Sequence, residues 1–141
     1  MNSKSTSDMT NELMSSSDIN SYIKENKSYF TNQSITEPLQ KLFKRGHHSK
    51  AALARKSGIS EVYLHQVFSG RRHPSRDRLL CICAALEVSL EESQYLLKLA
   101  GYAPLYPKNR RDAIIMFGLA HKLSPENING KLSEESQNVL F

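Results

Sequence analysis

Residues 49–88 carry a close succession of helix start and stop signals, and this pattern constrains the fold more than any other feature of the chain. Ser49 can cap a helix over residues 50–56, because its hydroxyl accepts from backbone N–H groups that have no partner in the first turn. Gly58 ends that helix, since glycine enters the left-handed conformation without a steric penalty, and Ser60 can cap the next one. Two helices joined by so short a turn must cross rather than stack.

The second predicted helix has one buried face and one presented face. At 100° per residue, Leu64 and Val67 share one side of it. The opposite side carries the side chains of Val62, His65, Gln66 and Ser69. Gly70 closes this helix, and Pro74–Ser75 start a third one. The apolar stripe of the third helix supplies a core and consists of Leu79, Ile82, Cys83 and Leu86.

The segment LARKSGISEVYLHQVFSGRRHPSRDRLLCICAALEVSLEE, residues 53–92, resembles the lambda repressor/Cro-like family of bacterial and phage regulators, also called the xenobiotic-response-element family. The motifs that carry the resemblance are a Leu-Ala pair at 53–54, Gly-Ile-Ser at 58–60, Leu64, Val67, the Gly-Arg-Arg-His-Pro turn at 70–74, and Leu79 to Leu86 followed by Val-Ser-Leu-Glu.

The resemblance covers roughly residues 36–100 and implies an all-α fold. We expect a five-helix lambda repressor-like DNA-binding domain with additional short N- and C-terminal helices. In such proteins the helix corresponding to residues 60–69 lies in the major groove of DNA, and the helix before it crosses the backbone. Phe68 departs from the family pattern, because many relatives carry a polar or acidic residue at that position.

The distribution of charge agrees with this interpretation. The net charge is +5. Between Lys41 and Arg78 there are ten Lys or Arg and two acids, so this segment carries +8 and the remainder carries −3. Positive charge concentrated on one part of a fold is typical of a duplex-DNA binder, because each neutralised phosphate releases counterions. The alternative is an ordinary solvated basic surface.

Candidate DNA-contacting residues follow from the placement of these side chains. The candidate base readers are Glu61, Val62, His65 and Gln66. Gln66 can engage adenine with two hydrogen bonds, and Val62 can touch a thymine methyl group. The candidate contacts to the DNA backbone are Lys50, Ser60, Tyr63, Arg71, Arg72 and Arg76. Any one of them could instead be a solvated surface residue, so it is their joint placement that indicates a site.

The rest of the chain divides by composition. Residues 1–17, rich in Ser, Asn and Thr, are predicted to form a disordered arm. Residues 18–34 are predicted to hold a short helix over residues 19–30 and a linker. The DNA-binding domain is assigned to residues 35–101, with its first helix beginning at Thr36. A capping box of Ser89 and Glu92 is predicted to open its last helix.

Residues 102–141 are predicted to form a C-terminal helical extension, with helices over 110–122, after Ser124 and after Ser133. The run YAPLYPKNRRDAI resembles the segment that follows the domain in small helix-turn-helix proteins of Gram-positive bacteria. These helices carry more apolar area than they can bury alone, so they must pack on the domain, on a second copy of the chain or on a partner protein. Three residues offer either a second phosphate contact or a surface ion pair with Asp112: Lys108, Arg110 and Arg111.

Several other classes of function lack support in the sequence. We find no glycine-rich phosphate loop, nucleophile elbow or metal-binding helix pair, so we expect neither an enzyme nor a bound cofactor. Cys81 and Cys83 point about 200° apart on a helix, so we expect buried thiols rather than a disulfide or a metal site. The tandem His47–His48 has no cysteine or carboxylate at ligand spacing. The chain has no signal peptide and no apolar run of the ~20 residues that span a bilayer, so a cytoplasmic location is expected.

The sequence therefore predicts a bacterial or phage-type transcription regulator that binds double-stranded DNA sequence-specifically. We expect a repressor that acts as a homodimer, with half-sites about one helical turn apart. The alternative is a helical adaptor or antitoxin-like protein whose terminal helices bind a partner protein, with DNA binding secondary.

Overall fold

Nine α-helices and no strand form in the part of the chain that this computed structural model describes, which is residues 4–27, 34–46 and 48–141. The helices are α1 (Thr6–Ser15), α2 (Ile19–Glu25), α3 (Thr36–Gly46), α4 (Lys50–Ser57), α5 (Glu61–Phe68), α6 (Arg76–Ala85), α7 (Leu90–Leu99), α8 (Arg110–Ala120) and α9 (Pro125–Glu134). The predicted all-α fold is confirmed. No helix within the described ranges has the length and apolar character needed to cross a membrane.

Helix α1 lies where the sequence predicted a disordered arm. A capping box begins it, because the Ser5 hydroxyl accepts from the backbone N–H of Asp8 and the Asp8 carboxylate accepts from the backbone N–H of Ser5. A polar cluster also holds this region: the Asn26 side chain donates to Glu12 at 2.9 Å, and the Lys4 ammonium lies 2.8 Å from the same carboxylate. The polar side chains that suggested disorder instead cap the helix and form hydrogen bonds with one another.

Helix α2 is shorter than predicted and ends at Glu25. Asp18 caps it, accepting from the backbone N–H of Asn20. Tyr22 is buried, whereas Ile19 and Ile23 are exposed. Phe30, also assigned to this helix, lies outside the described residues, as does most of the predicted linker.

The capping signals of the central segment are confirmed. Ser49 accepts from the backbone N–H of Ala52 at 3.0 Å, and Gly58 ends α4 with a φ of 75°. Ser60 caps α5 and Ser75 caps α6. Ser89 and Glu92 form the predicted capping box at the start of α7. These local signals determine where α4 and α5 begin and end.

Helix α6 lies at the centre of the unit formed by residues 34–141, since every residue from Leu79 to Ala85 is buried. The sequence predicted that α6 buries one apolar face, but α6 is buried on all sides over these residues. The side chains of α6 pack with fully buried residues from the surrounding helices: Leu39, Leu53, Leu64, Leu96, Ile115, Leu119, Ile128 and Leu132.

The C-terminal helices pack within the chain, which is one of the three alternatives that the sequence left open. Helix α8 contacts α6 and α7, and α9 contacts α4 and α6. Two ion pairs join α8 to α6: Arg76 lies 3.3 Å from Asp112, and Arg111 lies 3.0 Å from Asp77. Residues 102–141 thus share a core with the predicted DNA-binding domain.

The helix predicted to start at Ser133 does not form. Ser133 lies in the last turn of α9, and Ser136, with a φ of 57°, ends the helical course of the chain. The final residues run without regular structure, and the backbone N–H of Leu140 donates to the Asn129 side chain at 2.7 Å. Leu140 is buried and reaches the core without a helix, whereas Val139 and Phe141 are exposed.

Candidate nucleic-acid interface

The outer face of α5 is open to solvent. Val62 is 69% exposed, and Glu61 and His65 are also exposed. One Glu61 carboxylate oxygen lies 3.6 Å from Nε2 of His65, one turn away. Leu64 and Val67, on the opposite side, are buried as the sequence predicted. A large exposed aliphatic side chain between polar neighbours is the kind of surface that can meet both the apolar and the polar groups of a base edge.

Gln66 is oriented by the loop that follows α5. Its backbone carbonyl accepts from the N–H groups of Arg71 and Arg72 at 2.9 and 3.1 Å. Its side-chain oxygen accepts from Nε of Arg72 at 2.7 Å. Because a guanidinium has only donors, the amide oxygen must face Arg72, and the amide nitrogen remains available as a donor. Arg71 and Arg72 are both exposed.

Tyr63, a candidate contact to the DNA backbone, lies mostly inside the fold. It is only 9% exposed. Two guanidinium groups cover its ring: the central carbon of Arg72 lies 5.0 Å from the ring centroid, and that of Arg78 lies 4.5 Å away. Arg78 was not among the predicted site residues, because its position in sequence does not show that it meets Tyr63.

Lys50 lies at the start of α4 beside two aromatic rings. Its ammonium nitrogen is 5.2 Å from the Phe43 centroid and 6.0 Å from the Phe68 centroid. Phe68, which departs from the family pattern, is buried and packs on Phe43 with 5.1 Å between the centroids. An aromatic platform therefore supports Lys50 next to α5.

A groove of about 500 Å³ lies beside this platform. Its lining residues are Gln40, Phe43, Lys44, Lys50, His65, Phe68 and Ser69. The Gln40 side chain donates to the Phe68 carbonyl at 2.7 Å, which ties α3 to the end of α5. The sequence reasoning missed Gln40 and Lys44. Their spacing of four residues on one helix face was the signal that could have found them.

Ser60 is exposed at the N-terminus of α5. Its hydroxyl oxygen accepts from the backbone N–H of Tyr63 at 3.1 Å, so the hydroxyl proton remains free to donate. Helix N-termini attract anions through unpaired N–H groups and the helix dipole. This end of α5 therefore suits an anionic group.

Arg76, predicted to contact the DNA backbone, has its guanidinium engaged within the chain. Both terminal nitrogens of its guanidinium pair with Asp112, and its Nε donates to the Ala103 carbonyl at 3.1 Å. Its side chain is only 24% exposed. Arg111 is engaged in the same way, since it donates to Asp77 and to the Asn138 carbonyl. Both arginines hold the C-terminal helices in place.

The two cysteines are inert thiols in the core. Cys81 and Cys83 are free and fully buried. Burial raises the pKa of each thiol to about 12, so both remain protonated at neutral pH. No cluster of three His, Cys, Asp or Glu side chains suited to a metal ion occurs among the described residues. His47 lies outside them, and His48 is half-buried.

A protein-family model described as helix-turn-helix matches residues 39–93, from α3 into the first turn of α7. The match therefore includes α4, α5 and the loop that carries Arg71 and Arg72. No curated protein and no solved structure matches the chain.

Proposed function

We propose that this chain, whose residues 39–93 are a helix-turn-helix domain of the lambda repressor/Cro-like family, is a sequence-specific transcription repressor that acts as a homodimer on duplex DNA. The observation that carries the proposal is the open outer face of α5, with Val62 69% exposed. A reading helix must present such a face to the major groove. A regulator of this kind works where the chromosome lies, so we place it in the cytoplasm of a bacterial cell.

Base reading is assigned to the outer face of α5. Val62 is suited to a thymine methyl group, and Gln66 to adenine. Its amide nitrogen can donate to N7 of that base, while the second lone pair of the amide oxygen accepts from the base amino group. Arg72 holds the amide in this orientation through the 2.7 Å hydrogen bond. Glu61 and His65 complete the reading face.

Backbone contacts are assigned to positively charged and helix-terminal groups around α5. Lys50 and Ser60 stand at the starts of α4 and α5, where a phosphate is favoured. Arg71 and Arg72 flank the other end of α5. Phosphate contacts from both ends of a reading helix would set its register on the duplex.

A salt series of binding affinity tests the proposal. Arg71→Ala should weaken binding to all duplexes and reduce the dependence on salt, because one phosphate contact is lost. Gln66→Ala should relax discrimination at one base pair by about 1–3 kcal/mol. Lys98→Ala, which removes an exposed charge from α7, is the matched control. If Arg71→Ala and Gln66→Ala both bind like the control, the proposal is wrong.

The alternative function, an adaptor whose terminal helices bind a partner protein, depended on apolar surface left over by the extension. Much of that surface is internal, since Ile115, Leu119, Ile128 and Leu132 are buried. The exposed exceptions in the extension are Tyr106, Phe117, Val139 and Phe141. We therefore favour DNA binding over the adaptor.

A further inference from the structure

We propose that Arg72 and Arg78, gathered on the ring of Tyr63, form a two-arginine clamp for the DNA backbone, in which Arg78 contacts phosphate and Tyr63 positions both guanidinium groups. This inference rests on the proposed function. It adds a DNA-contacting residue on α6 and changes the role of Tyr63 from contact to support.

The clamp is built around one buried ring. Both guanidinium carbons lie within 5.0 Å of the Tyr63 centroid, so they are no more than 9.5 Å apart, the sum of the two distances. The face of an aromatic ring attracts a cation, which restrains two long side chains that would otherwise be mobile. Arginines restrained in this way lose less conformational freedom when they bind a ligand.

Within the described part of the chain, no carboxylate lies within ion-pair distance of Arg72 or Arg78. Asp77, next to Arg78 in sequence, is paired with Arg111 instead. A pair of like charges with free terminal N–H donors matches an anion with several acceptor oxygens, and phosphodiester groups have this chemistry.

The position of the clamp connects it to the reading face. Tyr63 follows the exposed Val62 in α5, and Arg72 donates to Gln66 through its Nε. The terminal nitrogens of Arg72 remain free of that bond. A phosphate held between Arg72 and Arg78 would therefore fix the guanidinium that also orients Gln66. Arg72 would thus take part both in binding the DNA backbone and in positioning the base-reading Gln66.

The test is a salt series on the full-length chain with two duplexes, one containing a site selected by the protein and one of random sequence. Arg78→Ala should weaken binding to both duplexes by a similar factor, about fivefold at 0.15 M salt, and lower the slope of log affinity against log salt by about 0.9. Lys98→Ala removes the same charge from α7 and should leave the slope unchanged. A slope for Arg78→Ala equal to that of Lys98→Ala would overturn the clamp.

Substitutions of Tyr63 test its positioning role. Tyr63→Phe keeps the ring and should bind like the wild type, whereas Tyr63→Leu should weaken binding to both duplexes. A melting curve checks that Tyr63→Leu is folded, and if it is not, Arg78→Ala decides alone. Folded Tyr63→Leu with wild-type affinity would contradict the role of the ring. If the wild type itself shows no salt-dependent binding to either duplex, the proposed function fails, and that outcome is distinct from failure of the clamp.

Discussion

At the scale of single residues, we assign two tasks to Arg72 and one to its neighbour Arg71. Arg72 Nε bonds the Gln66 amide at 2.7 Å, but Arg71 meets Gln66 only through its backbone N–H. Because we assign base reading to Gln66, the loop arginine bonded to its side chain should affect both affinity and specificity.

We predict that Arg72→Ala flattens the salt dependence and also relaxes discrimination at the base pair read by Gln66, by about 1 kcal/mol. Arg71→Ala should only flatten the salt dependence, because it leaves the Gln66 side chain held. Affinities for duplexes that differ at that base pair provide the measurement. Equal discrimination by the two variants would show that the hydrogen bond does not orient Gln66.

The buried thiols give a pH prediction. Burial raises the pKa of Cys81 and Cys83 from the ordinary value of 9.0 to about 12, so the folded state keeps protons that the unfolded state loses. This contribution to stability is fully present below pH 9 and is lost as the pH rises toward 12. Each thiol lowers the free energy of unfolding by about 1.4 kcal/mol per pH unit across that range.

Denaturant unfolding of the wild type and of the Cys81→Ala/Cys83→Ala double variant, between pH 7 and 11, checks this prediction. The difference in unfolding free energy should be constant up to about pH 9 and then shift against the wild type. Other titrating groups cancel in the difference, because both proteins carry them. A difference independent of pH would mean that the thiols are not buried in the neutral form.

At the scale of helices, the sequence predicted where a helix begins when its capping side chain bonds to a backbone group a few residues away. Ser49, Ser60 and Ser75 each accept from a backbone N–H three residues on, and that contact needs only the sequence near the helix end. The roles of Arg76 and Tyr63 could not be predicted in this way. Asp112 lies 36 residues from Arg76, and nothing in the spacing along the chain indicates that they meet.

In the C-terminal segment, by contrast, local sequence predicted a helix that does not form. Its apolar residues suggested one more helix, but α9 ends at Glu134 and the chain continues without regular structure. Arg111 binds the Asn138 and Val139 carbonyls, which gives this segment tertiary partners for its backbone. In these last residues the backbone carbonyls bond to a distant side chain instead of forming helical hydrogen bonds.

Two glycines in the C-terminal helices form a matched pair for a packing prediction. A Cβ atom at Gly118 in α8 would lie 2.5 Å from Cγ1 of the buried Ile128, whereas one at Gly130 in α9 would meet nothing within 4 Å. Close packing of α8 on α9 thus requires glycine at position 118 but not at position 130.

We predict that Gly118→Ala lowers the free energy of unfolding by about 1–3 kcal/mol through overpacking. Gly130→Ala should raise it by about 1 kcal/mol, because alanine has the better helix propensity. Urea unfolding of both variants measures the two changes. Stabilisation by Gly118→Ala would show that α8 and α9 are not packed this closely.

At the scale of the whole molecule, the helix-turn-helix and its extension share one core. Ile115, Leu119, Ile128 and Leu132 are buried in the same cluster as Leu53. The sequence indicated that the extension must cover its apolar surface, but composition does not specify which surface it covers. The surface on which the extension packs depends on contacts between residues far apart in sequence, such as the ion pairs of Arg76 and Arg111.

The same packing leaves the outer face of α5 open. The C-terminal Phe141 ring lies against Gly58, at the end of α4, while Val62 of α5 stays exposed. The excess positive charge between residues 41 and 78 surrounds α5 in sequence. The extension therefore contributes to the core without closing the face to which we assign DNA binding.

Selection of fragments bound by the full-length chain from a pool of random duplex DNA tests this account most directly. We predict enrichment of one inverted repeat whose half-sites are centred about 10 base pairs apart, as expected of a symmetric dimer with one reading helix in each major groove. Recovery of fragments with no common sequence would contradict it.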